Sequence, residues 1–432
     1  MVPVDCSAAL SGVDPAGTPD SRARALLRAM FEAAVGAADP RKVLARHLPP
    51  PPSGRCVVVG AGKAAGSMAA AVEAAWPDVD LSGVVVAPYG YGVDCPRIKV
   101  REAAHPVPDA NSVLAAEEIL AAVQGLGPDD LVLALISGGG SAVMCLPAPG
   151  LTLDDKRITN RLLLNSGLDI RTMNAVRRRL SAIKGGKLAA AAGPAHVVTL
   201  AISDIPGDDP NAIASGPTAP VADAHFDMDA VIARLGPTLP AKVAELLAQP
   251  EEPVNAAPRA ITLIATPAAA LEAAAEVARA HGVTPVLLGD DLEGESRAVA
   301  IEMAERARRS SAPTVLISGG ETTVTIDGGS AGRGGRNTEF TLALACDLAG
   351  QANIWALAGD TDGEDGANLG AAGAIAAPDT LARARAAGLD AEAFLAGHDS
   401  GSFFEQLGDL VITGPTLTNV NDFRAILVAP TP

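Results

Sequence analysis

The chain has 432 residues, more than one hydrophobic core usually organises, and its 48% apolar content is enough to build two or three domains. A formal net charge of −17 with 3% aromatic residues lacks the basic footprint and the stacking platforms that nucleic-acid binding uses, so any anionic ligand must be captured by local groups. The five cysteines (Cys6, Cys56, Cys95, Cys145, Cys346) form no CxxC pair, which argues against a disulfide framework or a Cys-based zinc site and fits a reducing compartment.

The first twenty residues carry Asp5, Asp14 and Asp20 with no basic start and no long apolar run, so no export signal is expected and a cytoplasmic location is. No apolar stretch approaches the roughly 20 residues of a membrane helix, and no membrane association is expected. A helix is predicted over Arg22–Val35, followed by the stiff Pro49–Pro52 spacer. From there short β-branched runs alternate with longer Ala/Leu/Glu/Arg segments. That alternation marks βαβ units and an α/β fold with a mostly parallel sheet.

Strands are predicted at Cys56–Val59, Val84–Ala87, Leu131–Ile136, Val197–Ile202, Ile261–Ala265, Pro285–Leu288, Thr314–Ile317, Ile354–Ala358 and Leu410–Thr413. Further helices are predicted at Ala64–Ala75, Ser112–Val123, Met173–Ala190, Ala268–Ala280, Ser296–Arg309 and Glu339–Leu348. Three prolines, two glutamates and Asn255 make Gln249–Pro258 the best linker, which divides the chain into domains 1–255 and 256–432.

Several strand ends carry candidate chemistry. Val57–Ala65, V-V-V-G-A-G-K-A-A, is a strand, a turn at Gly60 and Gly62, and a helix start with Lys63. The helix dipole disfavours a lysine there unless an anion is bound, although a merely solvated lysine fits the local pattern as well. Ser137, Gly138, Gly139, Gly140 and Ser141 follow the most apolar strand and offer five consecutive N–H donors as a phosphate or carboxylate cradle. In His105–Ser112, H-P-V-P-D-A-N-S, His105 and Asp109 are candidate substrate contacts, while Asp109 or Asn111 also suits a helix cap.

Ser203–Asp209 places Asp204 and Asp208 at a strand end, where Mg²⁺ takes one or two carboxylates and lets phosphates and water complete its shell. Leu316–Glu321, L-I-S-G-G-E, echoes the L-I-S-G-G-G-S run and makes Gly319, Gly320 and Glu321 candidate cofactor contacts. Gly332–Glu339 carries Arg336, whose planar fork suits a carboxylate or phosphate, and Asn337. Asp362, in G-D-T-D-G-E-D-G, is a candidate for substrate hydroxyls or metal.

In order along Arg22–Leu427, these motifs, with M-N-A-V-R-R-R-L-S-A-I-K-G-G-K-L (Met173–Leu188), S-G-P-T and T-G-P-T-L-T-N-V-N-D, resemble the class II glycerate 2-kinases that carry a C-terminal MOFRL domain. The resemblance implies a Rossmann-like N-terminal domain, a smaller α/β C-terminal domain and an active site in the cleft between them. It further implies ATP and Mg²⁺ as cofactors, D-glycerate as substrate and 2-phosphoglycerate as product; a homodimer is compatible with it. By the same resemblance Lys63 neutralises phosphoryl charge and Arg336 holds glycerate or the transferred group, while its place nearest the strand end makes Asp204 the candidate base or metal ligand.

Three places depart from the family pattern and bear on substrate choice: Thr338 stands where glutamine is common, Leu417 where glycine usually follows T-G-P-T, and Asn368–Leu369 in a usually more polar stretch. Two other readings stay open. An NAD(P)-dependent hydroxypyruvate reductase would want G-x-G-x-x-G where this chain has G-x-G-x-x-x-G, ending at Gly66. A non-catalytic organic-acid-binding protein would not need Lys63, Asp204 and Arg336 together.

Overall fold

The computed structural model describes residues 17–219, 226–251, 254, 261–326, 332–367 and 370–430. The chain forms two compact units, one of residues 40–204 and 208–264, the other of residues up to 39, 205–207 and 265 onward. The expected boundary at 255/256 lies outside the described residues. At the other end the division differs from the sequence reading, because the first helix, Pro19–Ala37, belongs to the unit that contains the C-terminus. Its apolar side, with Leu27, Met30 and Phe31 buried, packs there: the Phe31 ring lies 5.8 Å from Phe423, and Trp355 Nε1 donates to Asp20 at 2.9 Å.

The 40–264 unit is built on a six-stranded sheet. In chain order its strands are β1 (Cys56–Ala61), β2 (Leu81–Pro88), β3 (Lys99–Ala103), β4 (Leu131–Ile136), β5 (His196–Ile202) and β6 (Ile261–Ala265). Their spatial order is β3-β2-β1-β4-β5-β6, that of doubly wound nucleotide-binding sheets. The β1/β2, β1/β4, β2/β3 and β4/β5 pairs are parallel. β1 and β4 are buried along their whole length, which is why they read as unbroken apolar runs. Their register pairs Ala61 with Ile136, so the turns after both strands emerge side by side at the point where the strand order reverses.

A single helix expected over Met173–Ala190 is instead two, Ile170–Arg179 and Lys187–Ala191. The break follows from Gly185 and Gly186, both left-handed at φ 62° and 76°. A helix at Leu153–Leu164 completes this region and was not foreseen.

In the second unit the large sheet is mixed. In chain order its strands are β7 (Thr284–Leu287), β9 (Thr314–Ser318), β11 (Ile354–Asp360), β12 (Ala371–Ala376), β13 (Leu410–Ile412) and β14 (Asp422–Val428), in spatial order β13-β12-β11-β14-β9-β7. A parallel sheet does not extend here: β7/β9 is parallel, while β9/β14, β14/β11, β11/β12 and β12/β13 are antiparallel. A small two-stranded sheet pairs β8 (Glu293–Glu295) with β10 (Glu321–Thr323). Sequence reasoning missed β14 because Arg424 interrupts its apolar run. That arginine is buried and donates to Gly319 O at 2.7 Å and Asp422 Oδ2 at 2.6 Å. No helix among the described residues is long and apolar enough to cross a membrane.

Candidate functional site

In the first unit, functional candidates gather at the carboxyl ends of β1, β3 and β4. Gly62 has φ 129°, and a Cβ there would stand 2.3 Å from Ser137 Oγ, so glycine is required for the two turns to touch. Lys63 N–H donates to Gly138 O at 2.9 Å and Ala64 N–H to Ser137 Oγ at 3.0 Å. The expected row of five donors is thereby shortened. Ser137 N–H bonds Ala61 O and Gly140 N–H bonds Ser137 O, whereas Gly138 and Gly139 donate to no backbone carbonyl among the described residues.

His105 lies against this loop, its ring 3.2 Å from where a Gly139 Cβ would be. Enclosure by its surroundings, and then the nearby Lys63 charge, hold its imidazole below the ordinary value, so it is neutral at pH 7. Both Asp109 oxygens are engaged elsewhere: Oδ1 accepts from Ser112 N–H at 3.0 Å, closing a capping box, and Oδ2 from the Tyr89 hydroxyl at 2.6 Å.

A cavity of about 470 Å³ opens beside Gly139 and Ser141. Lys156, Arg157, Arg161, Arg177 and Lys184 line it, with no described Asp or Glu in its wall. In a chain of net charge −17 this concentration of cations calls for an anionic ligand. Burial lowers the pKa of Lys156 and Arg177, and pushes Lys184, further opposed by the Lys156 charge, down to about 7. None of these five was singled out from sequence. The signal was present: Arg177 and Lys184 fall in the basic run Met173–Leu188, and the glycine break after that helix turns Lys184 toward Ser141, to whose carbonyl its Nζ donates at 2.6 Å.

Asp204 follows β5 at the end of the same sheet. Asp208 adopts φ 52°, and its Oδ1 is buried without a hydrogen-bond partner among the described residues. An acceptor-only oxygen in that state fits a cation that phosphates and water would help to coordinate. No cluster of three or more His, Cys, Asp or Glu that could hold a metal ion gathers among the described residues.

In the second unit Arg336 opens the helix Arg336–Leu348. Nε donates to Asp422 Oδ1 and Nη2 to Asp360 Oδ2, both at 2.9 Å, and Nη1 to Glu321. The guanidinium is therefore clasped by three carboxylates rather than presented as an open fork. Burial works against its charge, but Asp422, Asp360 and Glu321 outweigh that and raise its pKa. Asn337 is fully buried and donates to Asp422 Oδ1 at 2.8 Å, while its own Oδ1 has no partner among the described residues. Asp362 is buried, its Oδ1 accepting from Glu364 N–H.

Gly320 has a packing role: with φ 92°, a Cβ would meet Leu292 O at 2.2 Å. Gly319 O accepts from Arg424. Of the departures, Thr338 caps its helix with Asp365 through a 2.8 Å bond, and Leu417 takes φ 63°, the left-handed region where glycine is unstrained. Asn368–Leu369 lie outside the described residues.

A doubly wound sheet whose strand ends carry glycine turns beside a cationic cavity defines an α/β protein suited to small anionic ligands. Residues 26–248 match the domain of unknown function DUF4147, and residues 314–422 match the MOFRL family. A relative from Agrobacterium vitis, named "Putative hydroxypyruvate reductase", is 56% identical over 95% of each chain. A Pyrococcus horikoshii protein named glycerate 2-kinase is 38% identical over 87% of this chain and 88% of its own. The crystal structure of Thermotoga maritima glycerate kinase superposes with a TM-score of 0.84 at 33% identity, covering 95% of this chain and all of that one. The chain belongs to the glycerate 2-kinase family with a C-terminal MOFRL domain.

Proposed function

We propose that this protein transfers the γ-phosphoryl group of ATP to the 2-hydroxyl of D-glycerate, giving 2-phosphoglycerate and ADP. The observation that carries this reading is the cavity walled by five cations and no described carboxylate, beside the turns after β1 and β4. Both substrates are anions, and phosphoryl transfer asks a protein chiefly to position them and neutralise charge. Lys63 supplies a cation at the first glycine turn, and neutral His105 lines the same loop without repelling it. The Gly138 and Gly139 N–H groups, which bond no backbone carbonyl among the described residues, would donate to phosphoryl oxygens. Asp204 and Asp208 would hold Mg²⁺, which when bound screens the phosphate charge.

Arg336 takes a different part from a ready-made carboxylate fork. Of its three partners Glu321 has 54% of its side chain exposed, against 8% for Asp360 and none for Asp422. A substrate anion that reaches Arg336 does so by displacing Glu321, while the two buried acids keep the guanidinium aimed. Asp362 and Asn337 then act through this network.

The reductase reading has one observation in its favour, the name of the Agrobacterium relative. One set of assays separates the two. ADP release is followed with D-glycerate, L-glycerate and related hydroxy acids, and NADH oxidation is followed with hydroxypyruvate. ADP release on D-glycerate with no NADH oxidation is expected; the reverse pattern defeats the proposal.

A further inference from the structure

Lys184 and Ser141 meet in a way that anion binding does not require. Lys184 Nζ is 2.6 Å from Ser141 O and 2.9 Å from Ser141 Oγ, and Ser141 Oγ is 2.7 Å from Ser215 Oγ. The amine is buried, while Ser141 lines the cavity. Ser215 is held at φ 62° between Ala214 at 49° and Gly216 at 59°. Three successive left-handed residues, two of them not glycine, mark a backbone forced into place.

We propose that Ser141 is a nucleophile, that the Lys184 amine is the base taking its proton, and that the cavity acylates Ser141 from short esters bearing a second, anionic group. The trio has two proton arrangements. With Lys184 charged, Nζ donates to Ser141 Oγ and Ser141 donates to Ser215. With Lys184 neutral, Nζ still donates to Ser141 O, which fixes the lone pair toward the hydroxyl; Ser141 donates to Nζ and Ser215 donates to Ser141. The second arrangement is that of a serine activated by an adjacent amine, a constellation recognised by geometry and roles rather than by fold.

The neutral state is accessible near pH 7. Lys184 faces the cations Lys156 and Arg177 and the Cys145 thiol, and its burial is matched by no carboxylate among these. A lysine that only tied the loop through Ser141 O would do so best charged.

In the reaction the Ser141 Oγ–H proton passes to Nζ as Oγ bonds to the ester carbonyl carbon. The carbonyl pair moves onto oxygen beside the Gly138 and Gly139 N–H groups. On collapse the carbon–alkoxide bond breaks and Lys184 returns the proton to the leaving alcohol. Water then attacks the acyl-serine, gives a proton to Lys184 and releases the acid, and Ser141 regains its proton. Arg161 and Arg177 hold the second anionic group, so a neutral ester of equal length is a poor substrate. This activity does not rest on the kinase reading.

The test uses the full chain, mono-4-nitrophenyl succinate as anionic ester, 4-nitrophenyl butyrate as its neutral counterpart, and phenylmethylsulfonyl fluoride as a label read by peptide mass spectrometry. Release of 4-nitrophenolate from the anionic ester is expected to exceed that from the neutral one by about 10-fold, and the sulfonyl adduct is expected on Ser141. Ser141→Ala abolishes both. Lys184→Arg keeps a charged donor to Ser141 O but no lone pair, and lowers the rate about 10²-fold or more. Ser215→Ala lowers it less.

A second readout needs no variant: in wild type the labelling rate rises with pH as Lys184 loses its proton, and excess succinate suppresses it. No adduct at Ser141 in folded wild type overturns the proposal, as does equal labelling of Lys184→Arg or equal turnover of the two esters. ADP release with glycerate, measured on the same preparations, reports the kinase reading separately.

Discussion

The two units handle positive charge in opposite ways. Around the cavity in the 40–264 unit, Lys156, Arg157, Arg161, Arg177 and Lys184 share one wall without a described acid, and burial there lowers the lysine pKa values. Around Arg336 in the other unit, Asp360, Asp422 and Glu321 surround one guanidinium and raise its pKa. The first gathers five cations, of which Arg157 pairs with Asp154, around a wall with no described carboxylate, and suits an anion. The second is already neutralised, so its cation is an organiser before it is a binder. An arginine in a promising motif says little about availability until its carboxylate neighbours are known.

The sharpest way to break this contrast is at Lys63. Lys63→Ala removes the cation at the first glycine turn, and kcat with ATP and D-glycerate is expected to fall about 10²-fold or more, with circular dichroism and Tm near wild type. Unchanged kcat returns Lys63 to a solvated surface role.

Arg336→Ala is expected to act on stability as well. It removes the guanidinium that buried Asp360 and Asp422 share, with Asp422 keeping Arg424 and Asn337, and a loss of about 2 kcal/mol in urea unfolding is expected. That is less than a fully buried pair loses, because the arginine side chain keeps 26% exposure. Arg336→Lys keeps the charge without the three-way fork and should raise the KM for glycerate more than that for ATP. An Arg336→Ala protein as stable as wild type would show that the clasp is incidental.

Lys184 sharpens the comparison through pH. Its folded pKa of about 7 lies below the ordinary 10.5, so between those values the unfolded chain binds more protons and stability rises with pH. The burial penalty is full below pH 7 and fades toward pH 10. Wild type should therefore gain on the order of 3 kcal/mol relative to Lys184→Met between pH 6.5 and 9.5, read from urea midpoints. A pH-independent difference contradicts the placement of Lys184. The smallest effect is Asp109→Ala, which removes a helix cap: about 1 kcal/mol of stability is expected to be lost, with the KM for glycerate unchanged.

Much of the fold was legible because buried parallel strands leave a plain signal. Leu131–Ile136, buried throughout, is read at its true ends, as is the partly exposed Ile261–Ala265, and Ser296–Arg309 is a helix as its periodicity predicts. The antiparallel unit was harder. β12, A-A-G-A-I-A, has little β-branched character, and β14 carries Arg424 in its interior, compensated by Asp422 two residues before it and by Gly319 O, which only the fold brings near.

For the site, the glycine turns announced themselves through local sequence. The cavity did not, because its cations come from the Leu153–Leu164 and Ile170–Arg179 helices and from the break after them. Their convergence is tertiary. Likewise the three acids on Arg336 lie 15, 24 and 86 residues away in sequence.

The most direct test of the account is the identity of the product. Phosphorus NMR of a reaction containing this protein, ATP, Mg²⁺ and D-glycerate should show 2-phosphoglycerate accumulating with ADP. A spectrum in which 3-phosphoglycerate is the main product, or in which ATP stays intact while the protein remains folded, contradicts it.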